Sequence, residues 1–491
     1  MDFLDPKKQF RHRMILLSGY VLIAAAILIA TIILLYQSYG FGVGKNGQVI
    51  QNGLVFLSSQ PNPSSIYIDG KLYKSQTNTR VVLPSGDYTI RLSRSGYRDW
   101  QRAITVQGGD VQHFDYPFLF PKDLKATKLA DYPTAPALAT QSPDHRWLLV
   151  ANAGSMTSFD LYDLKNPSQA ATTVTLPSGL LTKATGSENW ELVSWANDNQ
   201  HILLKHNYDG KAEFVLVDRA NPDQSLNLNA TLNTTPTAIT LSNTKYDQYY
   251  VYDATTQTLQ TASLKSPTLV PVLTNVLNYK TYSDNTILYA TDSGAAAGKV
   301  DIKMLSGDQT YQIREVAAGT TYLLDLTTYS GTMYVVLGAS SENKVYIYKD
   351  PVGQLSSAAA KAAVALRTLR VNAANYVSFS PNAQFIMAEN GTQFVVYDIE
   401  NVRSYSYQTA IAPLDAPQPH AAWMDGDRLT YVSNGKLVVF DYDHTNPQTL
   451  ITANAGYLPF FAPDYKYVYT LTPNATATEL DQTPLLTSAD L

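Results

Sequence analysis

Between Ser142 and Leu471 one design recurs eight times: a short apolar run, a polar turn and a second apolar run. The copies are SPDHRWLLV from Ser142, WANDNQHILL from Trp195, SNTKYDQYYVY from Ser242, YSDNTILYA from Tyr282, YSGTMYVVL from Tyr329, FSPNAQFIMA from Phe379, WMDGDRLTYV from Trp423 and FAPDYKYVYTL from Phe461. With Asp144, Asp198, Thr244, Asp284, Ser330, Asn382, Asp425 and Asp464 as pivots, the spacings run from 39 to 54 residues and average about 46. Apolar and polar residues alternating around turn signals mark half-buried strands. Self-similarity at such a period means one supersecondary unit stacked repeatedly on its neighbours. After Pro121 no long amphipathic helix interrupts the pattern.

The ends of this region test whether the array closes. Residues 122–143 lie before the first pivot and 465–491 after the last, and these 22 and 27 residues together make one further period. Eight modules fill residues 122–491, whereas seven would each need about 53 residues; seven blades with one irregular module is the alternative. Units of four short strands at this period hide their edges by radial repetition, as a β-propeller does. A second mark follows the pivots: LYDL at Asp163, LVDR at Asp218, IYKD at Asp350, VYDI at Asp398, VFDY at Asp441 and ELDQ at Asp481. These carboxylates either form a ring or, more simply, end third strands and cap the turns that follow. The modules resemble TolB-like and WD40-like repeats, in which SPDG turns and a strand ending in Asp recur; the third and fourth lack that Asp. The run SSAAAKAAVALRTLR from Ser356 reads as a helical insertion on a rim, with Ser356 or Ser357 as N-cap.

Ahead of the repeats, Met14 to Tyr36 is a 23-residue run without charge. At ~1.5 Å per residue it spans ~34 Å, enough to cross a bilayer with some tilt. Lys7, Lys8, Arg11 and Arg13 precede it and a neutral GFGVG follows, so positive-inside places residues 1–13 in the cytoplasm and the bulk of the chain outside. Ala24, Ala25 and Ala26 would suit a cleavage site, but the apolar run continues ten residues beyond them, and an uncleaved signal anchor is expected. Ala26 and Ala30 have a small-xxx-small spacing that an Ala-rich run produces by chance. Thirteen residues are too few to fold unaided, so no cytoplasmic enzyme is expected.

Residues 37–52 are glycine-rich without periodicity and read as a stalk. From Gly53 the segments GLVFLSS, SIYIDGKLY, TRVVL and DYTIRLSRSGY alternate as antiparallel strands, with Val81, Leu83, Tyr88, Ile90 and Leu92 on one face. Pro84 and Gly86 are expected to supply the fixed and positive φ of a reversal. The IDGK turn followed by LPSGDYTI, then Gly96, Tyr97 and Trp100, resembles the PEGA domain over residues 53–121. Where that family has its name-giving motif this chain has Pro61-Asn62-Pro63-Ser64-Ser65, so other residues must hold the turn. The resemblance implies a carbohydrate-binding-like or transthyretin-like sandwich serving as a spacer or binding module at a prokaryotic cell surface. Asp69, Tyr88, Tyr97 and Trp100 are read as turn and core residues. The expected architecture is mainly β: cytoplasmic tail 1–13, transmembrane helix 14–36, stalk 37–52, PEGA-like sandwich 53–121 and propeller 122–491.

Chemistry is sparse. The chain has no cysteine, which excludes disulfides, thiolate metal sites, a Cys nucleophile and Cys lipidation. With 36 Lys+Arg against 41 Asp+Glu it is mildly acidic, the wrong balance for tracking phosphates, so no nucleic-acid partner is expected. No GxSxG elbow, Walker A or dinucleotide glycine pattern occurs. His12, His113, His145, His201, His206, His420 and His444 show no HExxH spacing; His201 and His206, five apart on a hairpin, are weighed as metal ligands and set aside. DYDHTN, with Asp441, Asp443 and Asn446, lacks the Gly and distal Glu of a calcium loop and reads as a surface turn. Asn229, Asn233, Asn390 and Asn474 fit N-x-S/T. No catalytic, cofactor-binding or metal-binding residue is assigned, the binding residues are left open, and neither a cofactor nor an enzymatic activity is expected. The function expected is a single-pass envelope protein whose propeller presents a protein- or glycan-binding surface through Tyr- and Trp-bearing loops. Two alternatives are a glycan- or ester-active enzyme with inter-blade carboxylates and an accessory subunit of a membrane complex.

Overall fold

The computed structural model describes residues 6–38, 40–43, 49–152, 154–283, 285–319, 321–356, 362–409, 414–415, 418, 420–474 and 477–490. They form two compact units, Met1–Asp123 with Leu486–Leu491, and Leu124–Leu485.

The first unit begins with a helix, Pro6–Ser38, whose stretch Lys7–Tyr36 is long and apolar enough to cross a membrane. Two four-stranded sheets follow. One holds Phe41–Val43, Val49–Leu57, Thr79–Pro84 and Val111–Phe114; the other is ordered Lys71–Gln76, Ser65–Ile68, Gly86–Ser93, Trp100–Val106. Alternation buries Val81, Leu83, Ile90 and Leu92 in a core with Val55, Leu57, Ile66 and Trp100, as the pattern predicts. Asp69 takes φ 48° in the turn before Gly70, and its carboxylate accepts the Thr89 N–H at 2.8 Å. Tyr88 donates to Pro84 O, and Tyr97 and Trp100 are buried. Gly86 departs from expectation: it is absent from the positive-φ positions and opens the next strand, so the reversal needs no left-handed residue there. The turn over Pro61–Ser65 is held by buried hydroxyls. Ser59 Oγ and Ser64 Oγ donate to Pro61 O, and Thr77 Oγ1 accepts the Ser64 N–H at 2.7 Å.

The last six residues belong to this unit rather than to the propeller. Leu486 joins the core, Tyr97 Oη donates to Asp490 Oδ2 at 2.7 Å and accepts the Thr487 N–H at 2.8 Å, and Arg94 pairs with Asp490. A tail without apolar periodicity carried no mark of this; its place follows from long-range partners.

The second unit is eight four-stranded antiparallel meanders. Blades 1 to 7 span 139–175, 188–227, 238–273, 278–317, 322–369, 376–408 and 422–452. Blade 8 combines Phe460–Phe461, Tyr467–Pro473 and Thr478–Pro484 with the N-terminal strand Thr127–Tyr132, which pairs antiparallel so that Leu480 faces Ala130. The two ends thus build one blade, and the count is eight rather than seven. Apolar side chains of adjoining blades merge, as where Leu149 and Phe159 of blade 1 meet Trp190 and Leu204 of blade 2, and Leu480 of blade 8 meets Leu148 and Val150 of blade 1. Tyr249, Tyr348, Tyr397, Tyr431 and Tyr469 are fully buried and Trp190 and Trp195 nearly so. These aromatic residues therefore pack in the propeller's core rather than in loops that would present them to a ligand.

Seven of the eight pivots lie in the link between the first and second strands of their blades; Asp284 lies outside the described residues, between Asn278–Tyr282 and Thr286–Thr291. Asp144, Asp198, Asn382 and Asp464 accept the backbone N–H two residues on, at 3.1, 2.8, 3.2 and 3.1 Å, and the residue between, His145, Asn199, Ala383 or Tyr465, is left-handed. Ala383 sits at φ 60° without a polar side chain to favour it. Left-handed backbone costs a non-glycine residue ~1–2 kcal/mol, partly offset by the extra unfolded-state freedom of glycine. Ala383→Gly is expected to stabilise the propeller by about 0.5–1 kcal/mol, read as a higher urea midpoint, and Ala383→Val to lower it.

Asp163, Asp218 and Asp398 cap turns as expected, through N–H groups of Lys165, of Ala220 and Asn221, and of Glu400 and Asn401. Asp441 Oδ2 accepts the Asn446 amide and Asp443 Oδ1 the Thr445 N–H, so DYDHTN is a turn closed on itself. Asp350 instead N-caps a short helix, Pro351–Leu355, accepting the Gly353 N–H. Asp481 lies within a strand that runs on to Pro484 and accepts from the Thr472 hydroxyl. The expected helix from Ser356 is corrected likewise. Pro351 starts it earlier, Ser356 is its C-cap, residues 357–361 lie outside the described residues, and Arg367–Leu369 is the outer strand of blade 5. Completing a blade outweighs the helix propensity of Ala, Leu and Arg.

Candidate functional site

Blade 2 departs from its neighbours. Its first three strands, Glu188–Trp195, His201–Tyr208 and Lys211–Asp218, have eight residues each, whereas those of blade 1 have three, five and six. The longer strands project a hairpin turned at Asp209 and Gly210, φ 48° and 76°, a sequence and geometry that match the right-handed strand twist.

In the ladder Glu188 faces Tyr208, and Trp190 faces His206, which faces Glu213. These side chains share one face of the hairpin. His206 is 0% exposed, lies between the rings of Trp190 and Tyr208, and has Nδ1 at 2.9 Å from Glu213 Oε1 and Nε2 at 3.3 Å from Glu188 Oε2. Each ring nitrogen thus has a carboxylate opposite it. Glu213, 3% exposed, also accepts from Thr182 N, Thr182 Oγ1 and Asn227 Nδ2. Burial alone would raise its carboxyl, but the bonds from His206, Thr182 and Asn227 outweigh that and hold it below the ordinary value. Asp209 is likewise lowered, first by the Thr185 N–H and hydroxyl and then by the Gly186 N–H.

The other face carries Asn189 opposite Asn207, which is opposite Ala212, and Glu191 opposite Lys205. A groove of about 1150 Å³ wraps the hairpin and takes its lining from both faces: Asn189, Lys205, Asn207, Ala212, Asn229 and Thr235, and also Glu188, Tyr208, Asp209, Lys211 and Glu213. The outer strand of this blade is only Leu226–Asn227, so the edge of Lys211–Asp218 near the hairpin has no strand beside it. Asn229 covers that edge: its Oδ1 accepts the Phe214 N–H at 2.9 Å and its Nδ2 donates to Ala212 O at 3.3 Å. Asn227 in turn caps the short helix Leu228–Thr231 that places Asn229.

His201 and His206 are not brought together. Five residues apart on one strand they point to opposite faces, and His201 binds Asp198 at 2.6 Å and stacks on Tyr246. No cluster of three or more His, Asp or Glu placed to hold a metal occurs among the described residues. His113 stacks on Phe56, His145 contacts Tyr465 edge-on, His420 stacks on Tyr376 and His444 on Tyr407. Of the sequons, Asn229 and Asn390 have side chains engaged in backbone bonds, Asn474 donates to Glu479, and Asn233 is exposed in a left-handed turn. The pairing of His206 with Glu213 was legible: the two are symmetric about Asp209-Gly210, a strong hairpin signal between alternating runs.

A second buried carboxylate ends the middle strand Phe385–Glu389 of blade 6. Glu389 is 0% exposed; its Oε1 accepts the Ala421 N–H at 2.6 Å while its Oε2 has no partner, and burial pushes its carboxyl up to about 7 against the lowering effect of the Ala421 and Gly391 N–H groups.

A family model described as the PEGA domain matches residues 52–119, which are the small sandwich of the first unit. No curated protein matches the chain. Among solved structures, the Dos1 propeller is similar at 11% identity and TM-score 0.43, covering 74% of this chain and 95% of that one. An oligogalacturonate lyase in complex with manganese is similar at 14% identity and TM-score 0.38, covering 89% and 99%. Kluyveromyces lactis Hsv2 is similar at 11% identity and TM-score 0.39, covering 66% and 98%. These scores lie below 0.5, so the eight-bladed ring is established by its own strand pairing.

Proposed function

We propose that this protein is a membrane-anchored, extracytoplasmic binding protein of the cell envelope, in which the propeller presents a rigid surface to an envelope protein or a glycan. The observation that carries the reading is the groove on blade 2, in which Glu213, Asn227 and Asn229 are held by hydrogen bonds before any ligand arrives, which reduces the ordering cost of binding there. The PEGA domain and the apolar helix Pro6–Ser38 in the first unit support a place at a membrane surface. The basic residues Lys7, Lys8, Arg11 and Arg13 support a cytoplasmic N-terminus. No nucleic-acid or cofactor role is part of the proposal.

The absence of cysteine makes topology directly testable. Lys183→Cys, at an exposed position of the propeller, is expected to react with a membrane-impermeant maleimide in intact cells, or in cells opened only at an outer membrane. Labelling solely after lysis of the inner membrane would reverse the orientation. A second reading, a glycan- or ester-active enzyme, is favoured by the array of buried Glu213 and His206 with exposed Glu188, a general-acid/base type of arrangement. Turnover of a glycan or ester that is lost in His206→Gln, while the fold and binding persist, would move the protein to that class.

A further inference from the structure

We infer that the groove on blade 2 takes a neutral oligosaccharide. This deepens the binding reading above and rests on it.

The chemistry of the walls excludes the other large ligand classes in turn. A peptide that adds a strand needs an open edge. The exposed edge of Lys211–Asp218 has its Phe214 N–H and Ala212 carbonyl occupied by the Asn229 amide. A peptide or cofactor held by burial needs an apolar pocket with aromatic or aliphatic anchors. Asn189, Asn207 and Ala212 stand opposite one another in the lining, Tyr208 is the aromatic residue it includes, and Trp190 is not part of it, so the groove has no cluster of apolar anchors. A nucleic acid or anionic polymer needs unpaired positive charge. Lys205 is paired with Glu191 at 3.3 Å, and Lys205 and Lys211 are outnumbered in the lining by Glu188, Asp209 and Glu213.

What the groove offers is polar and bifunctional: amides and hydroxyls beside Glu188, Asp209 and Glu213, whose carboxylates outnumber Lys205 and Lys211 and so disfavour an anionic ligand. Asn189 and Asn207 stand directly opposite in the ladder, and each amide both donates and accepts. Thr235 adds a hydroxyl. Adjacent hydroxyls on a sugar ring are likewise donor and acceptor at once, so two amides side by side can engage successive hydroxyl pairs along a chain. The His206–Glu213 network holds the hairpin from behind and Asn229 holds its edge.

The test is an array of defined soluble oligosaccharides, neutral and uronate-containing, probed with the full chain in detergent micelles. Hits are then titrated by calorimetry against wild type, Asn189→Ala and Asn207→Ala. The expected result is binding of at least one neutral oligosaccharide, weakened tenfold or more by each substitution with the circular dichroism unchanged. Binding only of uronate probes, or neutral binding that both substitutions leave intact, would overturn the inference. A photo-crosslinker at Asn189 separates this failure from that of the wider reading. If the array is blank and the crosslinker captures an envelope protein in cells, the saccharide assignment falls and the binding function stands. If the array is blank and nothing is captured, both fall.

Discussion

Deleting the strand Thr127–Tyr132 is expected to unfold the propeller as a whole. The strand is the outer member of blade 8, and the three other strands of that blade come from the far end of the chain. Without it, Thr478–Pro484 becomes an unpaired edge on which Leu480, now 0% exposed, meets water. Tyr132 is 2% exposed, packs with Leu148 and Leu480, and shares a 2.8 Å hydrogen bond with Tyr162 of blade 1. Burying a ring of this size contributes ~4–6 kcal/mol at ~25 cal/mol per Å², against a total of ~5–15 kcal/mol for a typical domain. The smaller changes grade the effect. Tyr132→Ala should cost about 3–5 kcal/mol, and Tyr132→Phe, which loses only the hydroxyl bonds, about 1 kcal/mol. Urea unfolding followed by the fluorescence of Trp147, Trp190 and Trp195 reads all three, and a deletion variant with the wild-type midpoint would refute closure by this strand.

The second expected result concerns pH. Most carboxylates here that are shifted by bonding are lowered, as Asp163 is to about 2, mainly by the Arg146 guanidinium. The stabilisation from Asp163 is present above its unfolded value near 3.8 and is lost as pH falls towards 2. Glu389 runs the other way. Its carboxyl rises from 4.5 to about 7 on burial, so its contribution is complete below pH 4.5 and is lost as pH rises through 7. At ~1.4 kcal/mol per unit the difference is about 3 kcal/mol. Asp427, also raised to about 7 by burial and then by Asp425, adds in the same direction but is partly exposed and adds less. The urea midpoint is therefore expected to fall between pH 5 and 8. Glu389→Gln, which keeps an acceptor for the Ala421 N–H without a charge, should flatten much of that slope and stabilise the protein at pH 8. A wild-type midpoint that is level over this range, or a Gln variant with the same slope, would show that Glu389 titrates normally.

Local alternation carried a great deal. Every pivot except Asp284 lies in the first link of its blade, because a polar turn between two apolar runs, closed as an Asx turn at Asp144, Asp198, Asn382 and Asp464, has few other solutions. The spare residues at the two ends pointed to closure, and the shared eighth blade supplies it, although 122–123 and 486–491, counted among them, belong to the first unit. The site was less legible. His206 and Glu213 could be paired from their symmetry about the Asp209-Gly210 turn, yet Glu188 and Thr182 join them only through packing. Nothing around Asn229 distinguishes a sequon from a side chain that seals a strand edge.

The chain's own pattern determined an apolar helix, a PEGA-type sandwich and a closed array of strands, because hydrophobic periodicity and turn chemistry act over a few residues and are written in their order. Tertiary structure alone decided that Tyr249, Tyr348, Tyr397, Tyr431 and Tyr469 are buried in the propeller, that Arg367–Leu369 is drawn into an outer strand, that Leu486 and Asp490 return to the sandwich, and that Glu389 is buried with one oxygen unpartnered. Each of these depends on a partner distant in sequence, and the free energy of burying apolar surface or satisfying a polar group there exceeds the local preference that a short window reveals.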